Sequence, residues 1–192
     1  MNMMMFPKMF ASHGEGWNWL MQVHPSVVRV FFLYVVPMSL IPPAMLLYAW
    51  NAYSNVLPGN ISTNTALALV TFFYVSELVA VPVMGLVIQQ IGSVAGVRPT
   101  FQDAFTMAAI APTPLWLVPL ILFVPHLWVQ APAIFIALCG TALLIFEGVN
   151  RIFQLEEEGH AILLAGSIMA GGLVAWVTML GMAFVSWGWA AY

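Results

Sequence analysis

Long apolar runs separated by short polar stretches dominate this chain. No Lys, Arg, Asp or Glu occurs between Arg29 and Glu77, from Leu78 to Val97, from Ala104 to Phe146, or after Glu158. A helix of about 20 apolar residues crosses a hydrocarbon layer of about 30 Å. The gaps therefore predict five spanning helices: Val27 to Trp50, Ala66 to Ile91, Ala104 to Val124, Ala131 to Val149 and Ala161 to Trp187. The links between them are short and carry turn residues, such as Pro58-Gly59-Asn60 and Gly96 with Arg98-Pro99. Consecutive helices are then antiparallel neighbours. The fold class is all-α: a polytopic membrane protein, a bundle of five kinked transmembrane helices. Residues 1–26 form a short cytoplasmic or interfacial segment around Trp17 to Val23, and 27–192 the transmembrane domain.

The kinks are expected at proline. Pro37, Pro42 and Pro43 fall in the first predicted span, Pro82 in the second, and Pro112, Pro114 and Pro119 in the third. Each removes an N–H and frees a carbonyl four residues back, which must find a partner in protein or in a wet cavity.

Composition narrows the solvent to lipid. The chain is 62% hydrophobic and 6% charged, against about a quarter charged in a soluble domain. Its mean hydropathy is +0.97. A net charge of −3 is too small to point to nucleic acid as a partner. Cys139 is the one cysteine and lies in an apolar run; it is read as a packed thiol. Asn2, Lys8, His13, Glu15 and Gln22 interrupt the N-terminal stretch, so it does not read as a secretory signal.

The charges that remain give an orientation. Lys8, Arg29, Arg98 and Arg151 all fall on one side of five crossings, which places the N-terminus in the cytoplasm and Tyr192 outside. Trp50, Tyr53, Trp128, Trp187, Trp189 and Tyr192 are expected in an outer aromatic belt, and Trp17 and Trp19 at the inner interface.

Candidate chemistry is sparse. Glu77 lies near the middle of the second span, where a bare carboxylate costs several kcal/mol unless paired or protonated. It reads either as a functional acid, relaying a proton or cation, or as a protonated carboxyl donating to a neighbour, with Tyr74 and the freed Leu78 carbonyl nearby. Glu147 and Arg151 are spaced for a structural helical ion pair. Glu156-Glu157-Glu158-Gly159-His160 has no second copy to complete a metal site, and reads as a hydrated acidic loop. Met1, Met3, Met4, Met5 and Met9 read as an apolar anchor rather than a copper tail. Ser167, Gly171 and Ala175 form a small-residue stripe suited to helix packing. Phosphate-loop, nucleophile-elbow and zinc-protease motifs are absent from the sequence. No cofactor, metal or catalytic residue is expected.

Val83-Met84-Gly85, Arg98-Pro99-Thr100-Phe101, Ala104, Ala111-Pro112-Thr113-Pro114-Leu115 and Glu158-Gly159-His160-Ala161 resemble the Yip-domain family, five-helix membrane proteins with the N-terminus inside. Eukaryotic members bind Rab-type GTPases through a longer cytoplasmic N-terminal region. The compact chain here is similar to bacterial members, and the resemblance carries over no functional site. The reading is a non-catalytic integral membrane protein, of the inner membrane if bacterial. It would act as a membrane-organising scaffold or an accessory subunit, with lipid and other membrane subunits or itself as partners. The alternative is a small-solute or proton-coupled carrier using Glu77.

Overall fold

The computed structural model describes residues 15–53, 61–124, 126–153 and 158–190, all in helices and their connections. A short helix α1 (Glu15–Val23) precedes five helices long and apolar enough to cross a membrane. These are α2 (Val27–Tyr53), α3 (Thr63–Val94), α4 (Phe101–Phe123), α5 (Leu127–Ile152) and α6 (Glu158–Ala190). Each overlaps the span expected for it, and most run a few residues further at their ends.

α2 and α4 are the broken helices, and most of their prolines sit where a helix begins. In α2 the turns Val27–Val30 pass into a wider π turn over Phe31–Val35, then Val36–Met38, a break at Ser39 and Leu40, and a second helix Ile41–Tyr53. Pro42 and Pro43 occupy the first turn of that second helix, where a missing N–H costs nothing. In α4 the helix Phe101–Ile110 stops at Ala111-Pro112, resumes over Thr113–Leu117 with Pro114 in its first turn, and ends as a 3₁₀ stretch, Val118–Phe123. By contrast, α3 runs through Pro82 without interruption.

The loop between α3 and α4 explains why its sequence is so particular. Gly96 (φ +80°) turns the chain in the left-handed region after α3, with Val97 N–H bonded to the Gly92 carbonyl at 2.9 Å. Pro99 then packs on Gly92, where an added Cβ would come within 2.8 Å of its ring. The Thr100 hydroxyl accepts from Asp103 N–H (3.2 Å) and donates to Asp103 Oδ2 (2.6 Å), capping α4. Phe101 and Phe105 lie over Gly85, whose Cβ would stand 3.2 Å from Phe105 Cα. The Arg98-Pro99-Thr100-Phe101 run is thus a docking and capping device between two helices.

The core lies toward one end of the bundle and centres on α4, where every residue from Ala104 to Ala111 is buried. It extends through Val30, Tyr34 and Val35 of α2, Val81 and Ile88 of α3, Ile145 and Val149 of α5, and Leu164 and Ile168 of α6. α1 belongs to it as well. Trp17 was expected at the interface; it is 1% exposed and packs on Gly148 of α5, with Leu20 beside it. The side chains of Trp19 and Glu158, the rest of the acidic run at 156–157 and the methionines of residues 1–9 lie outside the described residues. Cys139, expected to be packed, sits on the outward face of α5.

Candidate functional site

The described buried polar side chains are Ser39, Glu77, Thr106 and Thr113, and three of the four gather where the broken helices pass α3. Pro114 leaves the Ile110 carbonyl without its helical donor. The Thr113 hydroxyl takes that place, donating to the Ile110 carbonyl at 2.5 Å. With its proton committed there, Thr113 accepts from the Tyr34 hydroxyl at 2.6 Å. The relay joins the π turn of α2 to the break of α4. Ser39 donates to the Val35 carbonyl, and Tyr74 of α3 donates to the Val36 carbonyl at 3.1 Å, beside the α2 break. At the breaks, hydroxyls of the same helix take the Ile110 and Val35 carbonyls, and Tyr74 of a neighbouring helix takes that of Val36.

Glu77 lies at this level. Gly85 meets Phe105 where α3 and α4 run antiparallel, and about two turns along each helix from that contact come Glu77 and Thr113. The Tyr74–Val36 bond places α2 by the same reckoning, with Tyr34 opposite the turn that carries Glu77. Glu77 shares the buried stripe of α3 with Val81, Gly85, Ile88 and Gly92. Only 7% of its surface is exposed, and its Oε2 has no hydrogen-bond partner among the described residues. Tyr74, a candidate neighbour from the sequence, is turned to α2 instead.

A second orphan lies on α5. Gly140 packs on Pro114, 3.4 Å from an added Cβ, so the next residue, Thr141, sits at the depth of the α4 break. Thr141 follows Ala137 and precedes Ile145 by one turn on the buried stripe of α5. Ser39, Thr71, Ser76, Ser93, Thr106, Ser167 and Thr178 each donate to the carbonyl four residues back. Thr141 does not: its Oγ1 is buried and has no partner. Sequence reading missed it because one Thr in an apolar helix looks like any other; only the depth shared with Glu77 distinguishes it.

The remaining candidates separate. Glu147 and Arg151 lie one turn apart on α5, and no ion pair between them is seen among the described residues. Arg151 is exposed, and an exposed pair gains too little to fix two long side chains. His24 Nδ1 instead lies 3.6 Å from Asp103 Oδ1, at the end of the bundle that carries Arg29, Arg98 and Arg151. Of the small-residue stripe, Gly171 faces Met84 and Val87 of α3, each 3.9 Å from where an added Cβ would stand, while Ser167 is exposed and bonded to its own helix. No group of three or more His, Cys, Asp or Glu gathers among the described residues.

The comparisons with known proteins agree with this architecture. Over 125 residues the chain is 29% identical to inner membrane protein YohC of Escherichia coli strain K12, a match covering 65% of this chain and 64% of that protein. The YohC of Escherichia coli O6:H1 matches equally. The match thus spans less than two thirds of the relative's length. No solved structure matches the chain. The Yip1 domain family matches residues 7–191, almost the whole sequence. With five membrane-crossing helices beside that match, the chain belongs to the Yip1 domain family, as a multi-pass integral membrane protein.

Proposed function

We propose that this protein is a non-catalytic assembly component of the inner membrane, a scaffold or accessory subunit that holds another membrane helix against α6. One observation carries the reading. α6 buries side chains only at its start, Ala161, Leu164, Ala165 and Ile168; beyond Ile168 it still borders α3, through Gly171 and from Met179 to Trp187, but none of its described residues there is buried. Along its open side lie Gly166, Ala170, Gly181 and Gly188, and a Cβ added at any of the three glycines would meet nothing within 4 Å. A helix-interior glycine costs about 1 kcal/mol relative to alanine, a cost offset where another backbone approaches closely. No helix of this chain does so at these positions. The name of the Escherichia coli relative supports the inner membrane, and the basic end carrying Arg29, Arg98 and Arg151 supports a cytoplasmic placement of that end.

The test is native mass spectrometry of the protein in native nanodiscs at endogenous expression, with Gly181→Ile and Gly188→Ile alongside. A stoichiometric partner, a second copy or another membrane protein, is expected with the wild type and lost from the variants. A monomer throughout overturns the reading.

A second reading is favoured by one observation of its own. The orphaned Glu77 carboxyl between two broken helices suits a proton-coupled carrier. Flux of protons or solute in proteoliposomes that is unchanged by Glu77→Gln would rule it out.

A further inference from the structure

We propose that Glu77 and Thr141 are opposing walls of one intramembrane site for a small monovalent cation, a proton or a sodium ion, that neutralises the Glu77 carboxylate. This rests on Glu77 being functional, as the carrier reading holds, but not on transport: binding alone suffices.

The placement follows from the packing. α3 and α5 each pack against α4 and against α6, and lie on opposite sides of the space those two helices flank. Glu77 and Thr141 both lie on the interior stripe of their helix and at the depth of the α4 break, as the Gly85–Phe105 and Gly140–Pro114 contacts fix. Each ends in an oxygen that is buried and has no partner. Two orphaned oxygens at one depth, in a protein whose other helical hydroxyls turn back onto their own carbonyls, point to a guest between them. Pro82 adds a third oxygen on the same turn as Glu77, because the Leu78 carbonyl loses its helical donor there.

The donor set defines the guest. Carboxylate, hydroxyl and carbonyl oxygens suit a hard cation, and half-freed carbonyls beside an acid are how membrane helices hold sodium or a proton. A single carboxylate is balanced by a single charge; a divalent ion would leave an uncompensated charge in the apolar layer. The packed elements bring no competing charge to this depth. Tyr34 of α2 donates to Thr113, and Tyr74 of α3 donates to Val36. α4 brings Thr113, α6 brings no titratable side chain here, Cys139 of α5 faces outward, and Glu147 lies more than one turn away.

Infrared difference spectroscopy of the full chain in nanodiscs tests this. The neutral carboxyl band of Glu77 is identified by its loss in Glu77→Gln and its displacement in Glu77→Asp, each checked as monodisperse by size exclusion. The band is followed against pH in choline chloride, and against sodium chloride at fixed pH. Loss of the band as sodium rises identifies sodium as the guest; loss with rising pH alone identifies the proton. In either case Thr141→Val is expected to shift the midpoint by about tenfold in cation concentration, while Thr141→Ser leaves it near the wild type. A band indifferent to sodium and to pH between about 5 and about 9, or a Thr141→Val protein that titrates as the wild type, overturns the proposal. A protein that binds the cation but moves nothing across the bilayer keeps the site and loses only the carrier reading.

Discussion

The indole of Trp17 lies so close over Gly148 that a Cβ added there would stand 2.9 Å from Cζ2. The contact locks α1, which precedes the first crossing, onto α5, the fourth crossing. Gly148→Val is expected to destabilise the protein by about 1–3 kcal/mol, the usual cost of overpacking, and to release α1. With Cys139 replaced by Ser and a cysteine placed at Gln22, faster alkylation in the Gly148→Val background checks the release. A thermal unfolding midpoint checks the cost.

Thr113 supports both broken helices at once, so its hydroxyl matters more than its volume. Thr113→Val leaves the Ile110 carbonyl without a donor and takes from Tyr34 the oxygen it donates to. A loss of about 1–3 kcal/mol is expected for stranding such groups, and Thr113→Ser should recover most of it. Thermal unfolding of the three proteins in the same nanodiscs decides.

At the basic end, the α4 cap should outweigh the neighbouring ion pair. Thr100→Ala removes the hydroxyl that accepts from the Asp103 N–H and donates to its carboxylate, and is expected to cost about 0.5–2 kcal/mol. His24 has a side chain 58% exposed, so His24→Ala should change stability by less than about 1 kcal/mol. Equal losses from the two variants would refute this ranking.

Orientation gives a labelling pattern. If the basic end lies in the cytoplasm, as proposed, a cysteine at Ser62 should react with a membrane-impermeant maleimide added outside intact cells, whereas one at Arg98 should react only after permeabilisation. The reverse pattern would invert the topology.

The five crossings were legible because charge is nearly forbidden in hydrocarbon: the gaps around Glu77, Asp103 and Glu147 mark the helices to within a few residues. The breaks were legible too, since Pro42, Pro43, Pro112 and Pro114 cannot continue a helix. What the sequence concealed was direction. In an apolar medium both faces of a helix read alike, so nothing in the pattern separated the buried Trp17 from a belt residue, or the outward Cys139 from a packed thiol. The stripe of Ser167, Gly171 and Ala175 was visible, but the open face of α6 carries Gly166, Gly181 and Gly188 instead. Glu77 stood out alone as an acid; Thr141 became notable only through Gly140 against Pro114.

The uneven burial along α6 makes its two halves mechanically unlike. Around Phe105, Ile110 and Val149, side chains interlock and resist shear. Toward Phe184 and Val185, both well exposed, the helix borders α3 through Met182 and Ala183 without a fully buried side chain to anchor it. The half beyond Ile168 is then the more pliant of the two. Thermal opening should begin in that half and spread toward the interlocked one.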